Sequence, residues 1–394
     1  MVLGGSFQDD AGDSVKIGQK ISLTVADPDG VLGAWRYDDT LGVGGTELHI
    51  IYRVGGAGAV NFGRFRITDN EPDELVEWRK IAEYGYDEPD SDLAPHERWV
   101  SVTTAVVKLE AVDLTYGPDV DRFEAPESPG GGATALSEFA RLMSGHFPVV
   151  VDPGVTDVPV SRLLVFDRER LEAGQDLLSR VSARYRMGGD GECHVYPRDT
   201  APVWRTEPRN CLVSVARKQS VEGLYNRWVV EGKDANTGAP IRATASITQG
   251  PLRHGGPHGR NPYFYTSEMI ATYDQAVAYA QELRTQFLDS LAVELTVEVT
   301  PRPELQAGDR IDVGYPVNGS VAYLTGRITS IRRGFNPTPT VTTLKVTCSY
   351  ADVIRALAAP TWGRYLTAGI PELTWDRMPG SWGNAPSIAW DDLP

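Results

Sequence analysis

The sequence predicts an α+β protein that is mainly β: two antiparallel β units flank a small α/β unit, and an extended tail follows. Three observations predict this. Runs rich in β-branched and aromatic residues, many alternating apolar with polar, recur on both sides of the chain's middle. Helical periodicity is confined to three stretches. Forty Gly and 27 Pro in 394 residues supply the turns such a chain needs. That length exceeds one simple core, and the expected division is 1–120, 121–210, 211–350 and 351–394.

In the first unit, Val15–Ala26 alternates and ends at the turn Asp27-Pro28-Asp29-Gly30. Glu47–Val54 and Asn61–Thr68 are two further strands around a Gly-rich turn. Leu75–Tyr86 reads as strand or short helix, Asp87–Pro95 as an acidic loop, and Trp99–Tyr116 as mostly strand. Residues 117–135, rich in Pro and Gly, are the best linker. A helix near Thr134–Ser144 places Leu136, Phe139, Ala140 and Met143 on one face. A second, near Ala173–Met187, repeats Leu177, Leu178, Val181 and Tyr185, and Gly189-Asp190-Gly191 then turns into the strand Glu192–Tyr196.

The last unit has the firmest local signal. Leu224–Glu231 and Ile241–Thr248 form a hairpin around Asp234–Gly238, followed by a loop to Pro262 with four Gly and three Pro. Thr272 and Gln275 match a capping box ahead of a helix over 273–290, whose stripe is Ala276, Val277, Ala280, Leu283, Phe287, Leu288 and Leu291. Val293, Leu295, Val297 and Val299 then alternate with polar residues, as in a strand with one wet face. Strands near Arg310–Val313, Val321–Arg332 and Thr340–Tyr350 complete the unit.

Net charge is −15, with no long basic run, which disfavours nucleic-acid binding. Cys193, Cys211 and Cys348 are far apart and fit a reducing cytoplasm rather than a disulfide framework. The start, MVLGGSFQDD, lacks the basic and apolar regions of a signal peptide, and no apolar run approaches a membrane span.

Candidate chemistry is sparse. His254 and His258 have H-x3-H spacing, but Gly255, Gly256 and Pro257 forbid the helix that would align them on a metal. Glu294 and Glu298 share a strand face about 13 Å apart, too far for a glycosidase pair. Cys193 and His194 point to opposite faces of one strand, and His146 follows a helix end. No nucleophile elbow, zinc-protease motif or Walker loop is present. The expectation is therefore no catalytic residue, no cofactor and no metal.

The order Asn226-Arg-Trp-Val-Val230, turn, Pro240, small-residue strand, Gly/Pro loop, capped helix, Glu294-Leu-Thr-Val-Glu-Val299, then Pro303-Glu-Leu-x-x-Gly308-Asp309-x-Ile-x-Val, resembles the baseplate or tail-tip hub proteins of long-tailed bacteriophages. Asp27–Gly30, Leu41, Gly45-Thr-Glu-Leu and Gly63-Arg-Phe-Arg-Ile resemble the first barrel of that family, and the likeness extends over about residues 15–350. It implies two barrel-like tube domains, at about 15–120 and 211–350, and a homotrimer whose six barrels adapt a sixfold tail tube to threefold tip proteins. The implied partners are a distal tail or tube protein, a tape-measure protein and tip or receptor-binding proteins. Genomic DNA would pass through the lumen without specific binding. The implied setting is the virion tail tip, after synthesis in the host cytoplasm.

Nine Trp also allow a rival reading, a carbohydrate-binding or cell-wall-degrading β protein. Beyond residue 360, Trp362, Trp375, Trp382 and Trp390 stand among Pro, Gly and Asp with no period. Trp375, Trp382 and Trp390 are spaced as anchors about 23–26 Å apart in an extended strap. The expectation is that this strap lies along a neighbouring chain, or in a groove between subunits, and stabilises assembly.

Overall fold

The computed structural model describes residues 1–394 except 13–14, 54–58, 84–95, 209, 219–222, 235–236, 268–269, 318–319, 336–340 and 359–394. The acidic loop 87–95 and the Trp strap therefore lie outside the described residues. The first part holds β1 (Val2–Asp10), β2 (Gln19–Asp27), β3 (Glu47–Arg53), β4 (Ala59–Glu83) and β5 (His96–Asp113). The middle holds α1 (Tyr116–Val120), α2 (Ala135–Met143), β6 (Val149–Val151), α3 (Arg170–Arg180), β7 (Ala183–Met187) and β8 (Cys193–Pro197). The last part holds β9 (Trp204–Arg205), β10 (Leu212–Lys218), β11 (Arg227–Lys233), β12 (Pro240–Ser246), β13 (Pro262–Thr266), α4 (Tyr273–Ser290), β14 (Ala292–Val299), β15 (Arg310–Val317), β16 (Ser320–Gly334), β17 (Thr342–Ser349) and α5 (Tyr350–Ala358).

The protein is mainly β with a minority of helix, as predicted, but the two β units are not separate. They share one sheet in the order β10-β14-β17-β16-β1-β2-β5-β4-β3, with β15 and β9 branching from β16. Neither unit closes into a barrel among the described residues. The join is β1. It pairs antiparallel with β2 over Val2–Asp9 and with β16 over Ser6–Asp10. The sequence reading missed β1 because Gly4, Gly5 and Ser6 interrupt any alternation.

Two cores line this sheet. Phe7, Ile21, Leu23, Phe62, Phe65, Val107 and Leu109 fill the first. Val293, Leu295, Val297, Val299, Ile311, Ile328, Ile331 and Leu344 fill the second. The period-2 burial of β14 is as predicted, with its four apolar side chains inside. The turn after β2 is built by Asp27, whose carboxylate accepts from the backbone N–H of Val31 (3.0 Å), Leu32 (2.7 Å) and Gly33 (3.3 Å). Burial opposes the charge, yet those donors hold its pKa below the usual carboxylate value.

The middle unit has its own core, in which α2 and α3 cover the small sheet β6-β8-β7. Two helical expectations need correction here. The buried face of α2 is Ala135, Phe139, Leu142 and Met143, with Ala140 outside. The helix foreseen to Met187 ends at Arg180. Val181 caps it, Ser182 turns at φ 51°, and Tyr185 belongs to β7. The apolar spacing runs on across that break, which is why it misleads. The proposed linker is also pinned in place: Phe123 is buried and stacks on Phe166.

A fourth core lies under α4. The Thr272–Gln275 capping box forms. Ala276 and Ala280 pack onto Val230, Ile241, Ala243 and Ala245 of the sheet β12-β11-β13. Leu288, placed in the stripe by periodicity, is exposed. Alanine on both sides sets a close approach of helix and sheet. Ala280→Leu should therefore overpack the contact and lower unfolding free energy by about 1–3 kcal/mol in urea titration. An unchanged midpoint would show a looser contact.

Candidate functional site

No catalytic constellation assembles among the described residues. All three cysteines are buried and unpaired by disulfide. Burial pushes the Cys193 thiol far up and the Cys348 thiol up to about 12, so neither is a ready nucleophile. Glu298 accepts from Ser214 Oγ at 2.8 Å and Glu294 lies 4.0 Å from Lys345 Nζ, each engaged on the sheet face. His254 and His258 organise their own loop. His254 Nδ1 lies 3.3 Å from Asn226 Oδ1, and His258 Nε2 lies 3.1 Å from the Leu224 carbonyl. The buried Asn226 also accepts from the Asn261 N–H (2.9 Å) and donates to the Gly259 carbonyl (3.0 Å). That is the structural task of the Asn226-Arg-Trp motif.

His146 Nε2 pairs with Asp121 at 2.9 Å. His194 is held between Asp190 (3.0 Å) and Asp152 (3.2 Å). Burial works against its charged form, but the two carboxylates prevail and raise its pKa. Glu192 joins Asp190 and His194 in a cluster whose ligand atoms lie within 4.8 Å of one another. The two carboxylates hold His194 from both ring nitrogens.

The concentrated chemistry lies instead where the three units meet. A cavity of about 430 Å³ opens there, lined in part by Asp9, Gln19, Asp113, Gln175, Tyr185 and Arg186. The middle unit is tied to the first by Gln175, which donates to the Val15 carbonyl (2.8 Å), and by Tyr185 Oη to the Lys16 carbonyl (2.9 Å). Lys16 itself reaches Asp119 (3.7 Å) and Glu172 (3.6 Å). The last unit enters through Arg186, whose Nη1 bonds Asp309 at 2.7 Å while its guanidinium stacks on Tyr196. Gly308 has φ +95°, and a Cβ there would meet Tyr196 Oη. The Gly308-Asp309 motif is thus the seat of the middle unit.

Two buried ionisable groups complete the junction. Asp9 on β1 accepts the Ala307 N–H at 2.8 Å. Arg333 on β16 lies over the rings of Phe7 (5.3 Å) and Phe62 (5.2 Å) and donates to the carbonyls of Arg302 and Leu305. Burial lowers the Arg333 pKa, and Asp9 opposes that. Burial raises the Asp9 pKa to about 7; Ala307, Arg333 and Arg186 pull it down and Asp113 pushes it up. Burial likewise raises Asp113, against bonds from Gln19 and Thr115. Sequence pattern offers no signal for this group, because its members are brought together only by the β1–β16 register.

At the far end, β4 and β5 run on as a two-stranded ribbon. Over Leu75–Glu83 and His96–Thr104 no other strand flanks either edge among the described residues. The stretch left as strand or helix, Leu75–Tyr86, is strand over its described residues, to Glu83. Trp78 and Trp99 share one face of it, 66% and 58% exposed, with Lys80 Nζ 5.3 Å from the Trp99 ring. An isolated ribbon is marginal in water, and exposed indoles of this kind suit an interface. No described helix is long and apolar enough to cross a membrane.

No protein-family model matches the sequence, and no curated protein matches it. Solved structures do match. The chain is similar to a tail protein from Neisseria meningitidis MC58 at 12% identity and TM-score 0.51, over 88% of this chain and 92% of that one. It is similar also to the 43 kDa tail protein of prophage MuSo2 from Shewanella oneidensis at 12% identity and TM-score 0.53, over 88% and 94%. The fold is that of these two tail proteins.

Asp9 yields a pH test. Its folded pKa lies above the unfolded value of 3.8, so the folded state keeps a proton that the unfolded state has lost. Its contribution is complete below about pH 4 and lost as pH rises through about 7. Asp9→Asn should match wild type near pH 4 and become the more stable of the two by pH 8, followed by urea midpoints. A difference independent of pH would contradict this.

Proposed function

We propose that the chain is a structural component of a phage tail tip or baseplate, a homotrimeric hub without enzymatic activity. It closes or extends the tail tube and joins it to tip or receptor-binding proteins. The observation that carries this reading is a likeness in fold to two tail proteins, one of them from a prophage, along nearly the whole of all three chains. Two β units within one chain support the symmetry argument: three copies offer six similar surfaces to a sixfold tube and threefold contacts to the tip. In this reading the neighbours are a distal tail or tube protein, a tape-measure protein and the tip proteins. The chain's −15 charge keeps passing DNA off the wall of the lumen.

Each unit in the reading has a task. Residues 1–120 and 211–350 form the ring, 121–210 sits between them, and the exposed Trp78–Trp99 ribbon supplies a contact surface. The strap with Trp362, Trp375, Trp382 and Trp390 lies along a neighbouring chain and stabilises assembly. The site of action is the virion.

Light scattering on the purified full chain should give a trimer mass. A monomer at all concentrations that also binds soluble glycan would instead favour the carbohydrate-binding reading. Deleting 361–394 should leave the chain folded and weaken incorporation into particles; equal incorporation would remove the strap's role.

A further inference from the structure

The turn that joins β7 to β8 carries metal-ligating side chains at alternate positions. Asp190, Glu192 and His194 stand two residues apart, so the pleat puts them on one face, opposite the buried Cys193. One ligand atom from each lies within 4.8 Å of the other two. The Glu192 N–H donates to Asp190 Oδ1 (3.0 Å), which leaves Oδ2 turned to His194 Nε2 at 3.0 Å. Asp152 Oδ1 lies 3.2 Å from the other ring nitrogen, Nδ1. The Asp152 N–H is itself bonded to the Val195 carbonyl (2.8 Å), so the β6–β8 pairing holds this carboxylate in place. Gly188 keeps the Nε2 side of the ring clear, since a Cβ there would stand 3.0 Å from Nε2.

Three carboxylates thus converge on one imidazole, which can balance only one of them. Glu192 is left over: among the described residues its carboxylate has no hydrogen bond or ion pair. The guanidinium opposite His194 in the register, that of Arg186, is turned to Asp309 at 2.7 Å. A divalent cation resolves the arrangement. With Nδ1 donating to Asp152, the lone pair of the neutral ring lies on Nε2, beside the two remaining carboxylates, and a carboxylate behind a histidine is the usual outer shell of a zinc ligand. Two ligands on a tetrahedral zinc ion are about 3.4 Å apart, close to the 3.0 Å between Asp190 Oδ2 and Nε2. One nitrogen with two oxygens favours zinc over calcium or magnesium, which take oxygen ligands. We propose that Asp190, Glu192 and His194 form a zinc site, oriented by Asp152 and completed by water. The hairpin tip that it closes rests on the first unit, where Gln19 Nε2 donates to the Met187 carbonyl (3.2 Å) and a Cβ at Gly63 would meet the Gly188 carbonyl. The ion therefore stiffens the contact between the middle and first units.

The test uses the full chain, freed of metal with EDTA and dialysed. Melting is followed at fixed pH and ionic strength with zinc chloride or calcium chloride, and zinc affinity is measured by competition with a chromogenic chelator. Saturating zinc should raise the wild-type melting temperature by about 2 °C or more, and calcium should not. His194→Ala should lose that shift while still melting cooperatively in EDTA. Glu192→Gln, which removes a carboxylate that bonds nothing, should melt like wild type without metal, and both it and Asp152→Asn should bind zinc about tenfold or more weakly. No zinc response in wild type, zinc binding of equal strength in wild type and His194→Ala, or a calcium shift as large as that with zinc overturns the proposal. So does unchanged zinc affinity in both Glu192→Gln and Asp152→Asn.

Discussion

Strand β1 is hydrogen-bonded on both edges, to β2 a few residues downstream and to β16 more than 300 residues away, where Ser6 pairs with Gly334. The rest of the architecture depends on this double pairing. Without it the chain would be two open sheets, each with an unpaired edge of the kind that invites aggregation. With it, β16 and β2 stop being edges, and the first and last units become one surface. Gly5 is part of the means: a Cβ there would meet the Ser22 carbonyl. Phe7, the large apolar side chain that β1 buries, stacks on Phe62 from the first unit and lies beneath Arg333 from the last.

The same register creates the polar junction. Asp9 faces Ala307, Arg333 and Arg186 because β1 lies beside β16, and Asp113 faces the cavity because β5 lies beside β2. Buried ion pairs and hydrogen bonds of this sort add little net stability. They do penalise wrong registers, since a one-residue slip of β1 would turn Asp9 out and take Phe7 from its place opposite Arg333. Specificity of register is a reasonable return in a chain whose two β units meet through one strand.

Legibility followed locality. The α4 capping box and the β14 alternation could be read because each is written within a single element. Elements that owe their structure to a distant partner could not. The strand β1 has glycines where alternation should be, and β13 carries the short aromatic run Tyr263-Phe264-Tyr265 directly after a Gly/Pro loop, pairing in parallel with β11. Ser182 ends α3 although the apolar spacing continues through it. The resemblance to tail-hub proteins rested on turn and strand residues, and Asn226 and Gly308 prove to be loop and junction builders rather than chemical groups. The strap tryptophans fall beyond the described residues.

The central claim is that β1 welds the two β units into one cooperative body. Native-state hydrogen exchange on the full chain tests it most directly, through the β1 amides that bond to β16 against the amides of the β14–β17 pair. The account predicts that both sets exchange with the same free energy and the same denaturant dependence, that of global unfolding. Exchange of the β1 amides through a low-energy local opening, while β14 and β17 stay protected, would contradict it.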